Sequence, residues 1–212
     1  IYITYGEHDL AEQLVHLVLA RTPGSPPGTK GISMFLVPKF VLGEDGSVGE
    51  RNRATCVSIE HKLGIHGSPT CVMAFEGATG WLVGNELDGM RNMFTMMNNA
   101  RLSVGLQGLS LAERAFQQSL EYAQNRTQGT SIGAEKGTSS PIIEHPDVRR
   151  MLMTQRAWID AMRALVYTNA AALDRADAAT DADQAREWRE LADLLIPLSK
   201  SLCTDVVNET TS

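Results

Sequence analysis

One long periodic stretch, from Met93 to Gly129, constrains the fold more than any other part of this sequence. Its apolar residues recur at the intervals that place side chains on one face of an α-helix. We therefore predict a single long helix with a continuous buried stripe. The residues that set this period are Met93, Met97, Ala100, Val104, Leu111, Ala115 and Leu120.

Polar side chains mark the two ends of this predicted helix. Arg101 follows Asn98 by one turn near its start, and Arg126 precedes Thr127 and Gln128 near its end. A rise of about 1.5 Å per residue separates the two arginines by roughly 37 Å, so they cannot serve the same small ligand group within one subunit. On pattern alone, Arg101 is a side chain at the core edge that reaches water, and Arg126 is a cation at a helix C-terminus.

Two more helices are predicted after residue 140. Pro146 with Asp147 is a typical helix start, and another helix begins near Gln184, after an acidic connection from Asp174 to Asp183. Three long amphipathic helices are typical of a bundle that normally has a fourth, so an apolar stripe should lie open or be covered by another subunit. The residues predicted to face inward are Val148, Leu152, Gln155, Ile159, Met162, Val166 and Leu173, then Trp188, Leu191, Leu195, Leu198 and Leu202.

The beginning of the chain has the pattern of β-structure. Short apolar runs rich in branched residues alternate with Pro/Gly loops, and residues 43–53 are predicted to be a loop. The fold class is α+β: a partial antiparallel β-sandwich or barrel domain over residues 1–84, then a truncated long-helix bundle, three of four helices, over residues 85–212. The predicted strands are Gln13–Ala20, Gly31–Val37, Ala54–Ile59, Cys71–Phe75 and Trp81–Val83, with Tyr2 and Ile3 in a first strand.

The composition excludes several classes of function. The 212 residues are 43% hydrophobic with a net charge of -6, which suits a soluble globular protein and argues against nucleic acid as the partner. No apolar run of about 18 residues predicts a membrane span. The three cysteines form no CxxC pair, which indicates free thiols in an intracellular, cytoplasmic protein. The five histidines lack metal-ligand spacing, so no metal site is predicted.

Three stretches carry a resemblance to a known family. They are YIT at Tyr2–Thr4, SIEHKLGIHGSPTCVMAFEGATGWLVGNELDGM at Ser58–Met90, and the long helix itself. Over its whole length the chain resembles the acyl-CoA dehydrogenases, the flavoenzymes that desaturate acyl-CoA thioesters. The long loop before His145 and the HPDVRRML that follows it resemble the larger bacterial members, one group of which acts on a methylthio-substituted propionyl-CoA.

The resemblance implies ligand roles at both ends of the helix. Arg101 would contact the CoA part of the substrate, with Asn98 in place of the family's usual Asp, which keeps a hydrogen-bonding group but no charge. Arg126, Thr127 and Gln128 stand where the family has an Arg-Lys-Thr sequence that reaches the FAD pyrophosphate of the neighbouring subunit. Only Arg126 is identical there, and Arg suits bidentate phosphate contacts.

Two further segments would contact the same cofactor by resemblance. His145 falls where the family has a histidine near the FAD. Tyr2, Ile3 and Thr4 match a Trp-Ile-Thr turn that packs on the flavin ring. As plain sequence, these three residues would be an ordinary strand fragment.

No catalytic base can be identified in this chain. The family's glutamate removes the substrate α-proton, and in a minority of members it immediately precedes the substrate-binding Arg, where this sequence has Ala100. In most members it lies in a position that would fall beyond Ser212. Ile1 begins inside an apparent strand without a Met, so we expect a piece of a longer protein that binds FAD weakly and shows no turnover alone.

The resemblance implies FAD-dependent α,β-dehydrogenation of an acyl-CoA to an enoyl-CoA by the full-length protein, in fatty acid metabolism. The implied partners are an electron-transferring flavoprotein and further copies of the chain, as a homodimer or a dimer of dimers. Two alternatives stay open: a flavin oxidase or monooxygenase on the same scaffold, and a helical oligomerisation module without chemistry.

Overall fold

The computed structural model describes residues 1–211 and has strands followed by long helices, as predicted for an α+β fold. It divides into two compact units, Ile1–Thr95 and the part from Met96 onward, and the division falls inside the first helix. The sequence-based division after residue 84 stays a prediction. The elements are β1 (Tyr2–Thr4), β2 (Val15–Arg21), β3 (Ile32–Pro38), β4 (Phe40–Leu42), β5 (Val48–Arg51), β6 (Ala54–Ile59), β7 (Thr70–Phe75), β8 (Trp81–Leu82), α1 (Gly89–Asn125), α2 (Pro146–Ala178) and α3 (Ala182–Thr210).

The first unit contains two three-stranded antiparallel sheets, in the orders β1-β7-β6 and β2-β3-β8, and a β4-β5 hairpin. Val18 and Val37 from one sheet and Ala54 from the other form a buried apolar cluster, so the core lies between the two sheets. Ile3, Ala20, Phe35, Phe75 and Ala78 pack around it.

The β4-β5 hairpin was not predicted, because part of it falls in the segment expected to be a loop. Every residue of β5 is exposed, so the strand has no alternation of apolar and polar residues to reveal it. Its turn is held locally, since the Asp45 carboxylate accepts hydrogen bonds from the Ser47 amide (3.0 Å) and hydroxyl (2.6 Å).

In the second unit the three helices share one apolar core. The inward stripe of α2 was predicted correctly at Leu152, Ile159, Met162 and Val166, all of which are buried. No helix within residues 1–211 combines the length and the apolarity needed to cross a membrane. The shared core consists of Leu109, Ala112, Ile159, Met162, Val166, Cys203, Val206 and Val207.

The buried stripes of α1 and α3 differ from the predicted ones, because small residues rather than large apolar ones line the closest approach of these helices. A Cβ built on Gly108 would lie 2.6 Å from the Cys203 carbonyl oxygen, and one on Gly105 would lie 2.9 Å from that of Ser199. Of the predicted stripes, Leu111 is 53% exposed and Leu198 is 50% exposed. The buried residues of α3 are instead Ala192, Ile196, Ser199, Cys203, Val206, Val207 and Thr210.

The predicted acidic connection between α2 and α3 is mostly helical. Helix α2 continues to Ala178, which leaves three residues before α3 begins. Side chains across this turn stabilise the extension: the Arg175 guanidinium lies 4.6 Å from the centroid of the Trp188 ring, and Arg189 forms an ion pair with Asp177. These contacts join the two helices, so the sequence of the segment alone could not reveal them.

Candidate functional site

Helix α1 is unbroken from Gly89 to Asn125, so its two ligand-binding candidates lie far apart. Arg101 lies in its fourth turn and Arg126 directly follows its last residue. At about 1.5 Å per residue the spacing remains roughly 37 Å. Any ligand groups that the two arginines bind within one subunit are therefore different groups.

Asn98 and Arg101 form a pair on one face of α1. Residues three apart on a helix are neighbours, and the Arg101 Nη1 lies 3.5 Å from the Asn98 Oδ1 as donor to acceptor. Both side chains are half-buried. The Asn98 carboxamide thus contacts the Arg101 guanidinium within one turn of α1.

The chain after α1 turns back on itself and brings distant residues to the helix end. The Ile142 amide donates to the Arg126 carbonyl (2.8 Å), and the Gln128 amide donates to the Ser140 carbonyl (3.0 Å). Thr127 forms an isolated antiparallel bridge with Pro141. Residues 126–128 thus pair with residues 140–142 as two short antiparallel segments, which close the polar loop between them.

This closure gathers Arg126, Gln128 and His145. The His145 Nε2 donates to the Gln128 carbonyl oxygen (2.8 Å), and the Arg126 Nη2 lies 3.4 Å from the Gln128 Oε1. Arg126, Thr127 and Gln128 are exposed, and among residues 1–211 no carboxylate forms an ion pair with Arg126. A guanidinium flanked by a hydroxyl and an amide is a donor set that fits a phosphate or pyrophosphate.

The residues predicted to contact a flavin ring lie on strand β1. Tyr2, Ile3 and Thr4 pair with Val72, Cys71 and Thr70 of β7. Side chains alternate along a strand, so Tyr2 (69% exposed) and Thr4 share the outer face. Ile3 packs on the core between the sheets. Of the three side chains, those of Tyr2 and Thr4 are accessible to a ligand.

A histidine that sequence reasoning did not select as a candidate lies beneath the turn that follows β1. His16 is buried on β2, and its Nε2 is 2.7 Å from the carbonyl oxygen of Gly6. In the structure Val15 and Leu17 of β2 are exposed, whereas His16 and Val18 are buried. The sequence has no signal for this orientation, because apolar residues flank His16 on both sides.

Ala100 stands on α1 where a minority of the family has its catalytic glutamate, and it is exposed. Glu209, in the last turn of α3, is also exposed. Neither location supplies the desolvated carboxylate that abstraction of a weakly acidic proton requires.

Comparisons with known proteins agree with the fold described above. The model of the family "Acyl-CoA dehydrogenase, C-terminal domain" matches residues 87–187. A structure of Caenorhabditis elegans ACDH-11 in complex with C11-CoA has the same fold, with a TM-score of 0.74 and 21% identity over 92% of this chain and 31% of that one.

Curated relatives match almost the whole chain. The 3-methylmercaptopropionyl-CoA dehydrogenase of Ruegeria pomeroyi is 49% identical over 100% of this chain and 36% of its own length. A butyryl-CoA dehydrogenase of Syntrophomonas wolfei is 41% identical over 97% of this chain and 35% of its own length. The chain thus spans about a third of the length of these relatives. It belongs to the acyl-CoA dehydrogenase family.

Proposed function

We propose that this chain is part of an FAD-dependent enzyme that oxidises an acyl-CoA thioester to the corresponding enoyl-CoA and passes the electrons to an electron-transferring flavoprotein. The enzyme acts in the cytoplasm, in fatty acid metabolism, as a homodimer or a dimer of dimers. Its relatives are named for different acyl groups, so the proposed substrate class is the acyl-CoA thioester and no narrower.

The observation that best supports the proposal is the exposed Arg126 at the end of an unbroken helix, which forms no ion pair with a carboxylate of residues 1–211. Arg126 with Thr127, Gln128 and His145 would hold the pyrophosphate of an FAD bound by a neighbouring copy. The outer face of β1, with Tyr2, Thr4 and the main chain of Ile3, would contact the flavin ring. FAD, when bound, supplies the acceptor for the hydride equivalent that leaves the substrate β-carbon.

Arg101 and Asn98 would bind the CoA part of the substrate. An arginine forms bidentate hydrogen bonds with phosphate oxygens, and Asn98 holds its side chain in place. Binding the remote carrier orients the reacting acyl group, which lowers the entropic part of the barrier.

The base that removes the α-proton would come from a part of the enzyme outside this chain. The chain spans about a third of its relatives' length, so the 212 residues alone are expected to bind FAD weakly and, without the base, to show no turnover. Stoichiometric flavin absorbance in the purified 212-residue chain would contradict this expectation.

The proposal is tested by exchanging the two arginines separately in the full-length enzyme. Arg126→Ala should weaken FAD binding by about 10- to 100-fold, the equivalent of a charged hydrogen bond worth about 1.5–3 kcal/mol, with little change in the KM for acyl-CoA. Arg101→Ala should raise that KM and leave the flavin content unchanged. Arg114→Ala, which removes an exposed arginine from the same helix, is the matched control and should change neither.

The outcomes separate the competing functions. If Arg126→Ala leaves the flavin content untouched, the cofactor role is wrong, and a non-catalytic helical module becomes the better description. If the reduced flavin of the full-length enzyme reoxidises rapidly in air, the enzyme is an oxidase on this scaffold. Slow reaction with oxygen and fast reaction with an electron-transferring flavoprotein support the dehydrogenase.

A further inference from the structure

His16 is an ionisable ring inside the apolar core of the first unit. It is 6% exposed, shares the inward face of β2 with Val18, and meets the edge of the Phe75 ring at a centroid distance of 5.8 Å. A polar ring in such surroundings is costly unless its nitrogens have hydrogen-bond partners. Its partners therefore decide what the residue does.

Both ring nitrogens of His16 lie beside main-chain carbonyl oxygens. Nδ1 is 3.1 Å from the oxygen of Val37, and Nε2 is 2.7 Å from that of Gly6. Val37 is the direct partner of His16 in the β2–β3 pairing, so that contact stays within one sheet. Gly6 follows β1 of the other sheet, so the shorter contact joins the two sheets.

The turn that His16 contacts is held tightly on its other sides. Tyr5 has a φ of +60°, a left-handed conformation that is uncommon for a residue with a side chain, and its amide donates to the Pro69 carbonyl (2.7 Å). A Cβ built on Gly6 would lie 3.1 Å from the Cys71 Cβ. A conformation of this kind persists only where its surroundings enforce it.

This turn continues directly from the predicted flavin-contacting strand. Thr4 is the last residue of β1, and its side chain shares the outer face with Tyr2. Movement of the Gly6 carbonyl is transmitted through Tyr5 to Thr4 over two residues. The buried ring thus lies on the opposite side of the strand end from the exposed side chains of Tyr2 and Thr4.

We propose that His16 is a positioning residue for the flavin: by donating from Nε2 to the Gly6 carbonyl it fixes the turn Thr4–Gly6 and with it the outer face of β1. This inference rests on the proposed function, because it needs a flavin against β1. His16 itself touches no substrate or cofactor and acts through the main chain.

Two amide variants separate this role from mere filling of the core. In His16→Gln the side-chain nitrogen can take the place of Nε2 and donate to Gly6. In His16→Asn the shorter side chain takes the place of Nδ1 and reaches Val37 but not Gly6. Glu7→Gln is the control, because it removes the 2.6 Å ion pair with Lys39 one residue after Gly6 and leaves His16 untouched.

The variants are compared in the full-length enzyme with bound FAD. His16→Asn should lower kcat by roughly 10- to 100-fold, as expected when a reacting group is displaced by about 1 Å, with a shifted flavin absorption band and a KM for acyl-CoA within about twofold of wild type. His16→Gln should restore most of the activity and the wild-type spectrum. Equal kcat values and spectra for the two variants would overturn the proposal.

Two measurements do not depend on turnover. Amide hydrogen exchange at Tyr5 and Gly6 should be faster in His16→Asn than in His16→Gln, and ¹⁵N NMR of labelled histidine in the wild type should show a proton on Nε2. A ring protonated on Nδ1 alone contradicts the proposal even if His16→Asn does not fold. A wild-type enzyme without flavin refutes the proposed function instead, while the exchange rates still report whether His16 holds the turn.

Discussion

The close approach of α1 and α3 makes a quantitative prediction for Gly108→Ala. In an exposed helix this change is stabilising by about 1 kcal/mol, because alanine has the higher helix propensity. In this structure the new methyl group would lie 2.6 Å from the Cys203 carbonyl oxygen and 2.9 Å from its carbon. The obstacle is the main chain of a packed helix, so no side-chain rotation can relieve the overlap.

The expected net effect follows from two opposing contributions. The methyl group falls about 0.8 Å short of ordinary van der Waals contact, so the helices must separate along a core that includes Leu109, Ala112 and Cys203. Overpacking of this kind costs typically 1–3 kcal/mol, and a rigid obstacle places the cost near the upper end. After the gain in propensity, we expect a net loss of about 2 kcal/mol, or roughly 30-fold in the opening equilibrium.

Native-state hydrogen exchange of the full-length protein measures this loss at the helices concerned. Protection of the amides of residues 105–112 and 199–207 should fall in Gly108→Ala, and by less in Gly105→Ala, where the nearest atom is 2.9 Å away. Gln107→Ala, on the exposed side of the same turn, should gain a few tenths of a kcal/mol. If Gly108→Ala were as well protected as Gln107→Ala, the close packing of α1 on α3 would be wrong.

Two further predictions concern polar contacts in the second unit. The Asn169 Nδ2 donates to the Ser199 Oγ (3.1 Å) inside the core. Ser199→Ala should therefore lower the free energy of unfolding by about 1–3 kcal/mol, because it leaves the Nδ2 of Asn169 unpaired. The double variant Asn169→Leu/Ser199→Ala should recover part of this stability, as measured by urea unfolding. If the double variant were less stable than the single one, the hydrogen bond would not explain the loss. A hydrogen bond from Arg163, and a weaker one from Gln117, lower the pKa of Glu113 below its ordinary 4.5. A lowered pKa stabilises the fold above the ordinary value, and this contribution is lost as the pH falls through the lowered one. Glu113→Gln should therefore lower the free energy of unfolding by up to about 1 kcal/mol at pH 7 and leave it unchanged in strong acid, as measured by urea unfolding across pH. A loss of stability that does not depend on pH would contradict the ion pair.

The sequence predicted the fold best where large apolar residues form the core. On α2 the buried residues Ile159, Met162 and Val166 are large, and their spacing identified the correct face. On α1 and α3 the buried line includes Gly105, Gly108 and Ser199, which a count of apolar side chains does not register. The close packing of these helices depends on residues with a small side chain or none, and hydrophobic periodicity does not detect such residues.

In the candidate site, too, only some of the residue positions could be predicted from the sequence. Arg126, Thr127 and Gln128 are consecutive, so any turn keeps them together. His145 reaches the same place only because the segments around Arg126 and Ile142 pair, and no local pattern specifies that pairing. For His145 the resemblance to a family was the only available guide. For His16 no sequence pattern was sufficient, because apolar residues stand on both sides of it in β2; its burial and its contact with Gly6 both required the three-dimensional structure.

The mistaken stripe on α1 also bears on assembly. The residues that set its period are half-buried or exposed within residues 1–211, and large apolar side chains such as Leu106, Leu111 and Tyr122 are 44%, 53% and 61% exposed. A helix with apolar residues on more than one side is typical of a helix that is buried on more than one side. In this chain the small residues of α1 pack one side of that helix against α3. The oligomer proposed above would cover a second side of α1. It would thus account for the spacing of the large apolar residues, which the core of this chain does not explain.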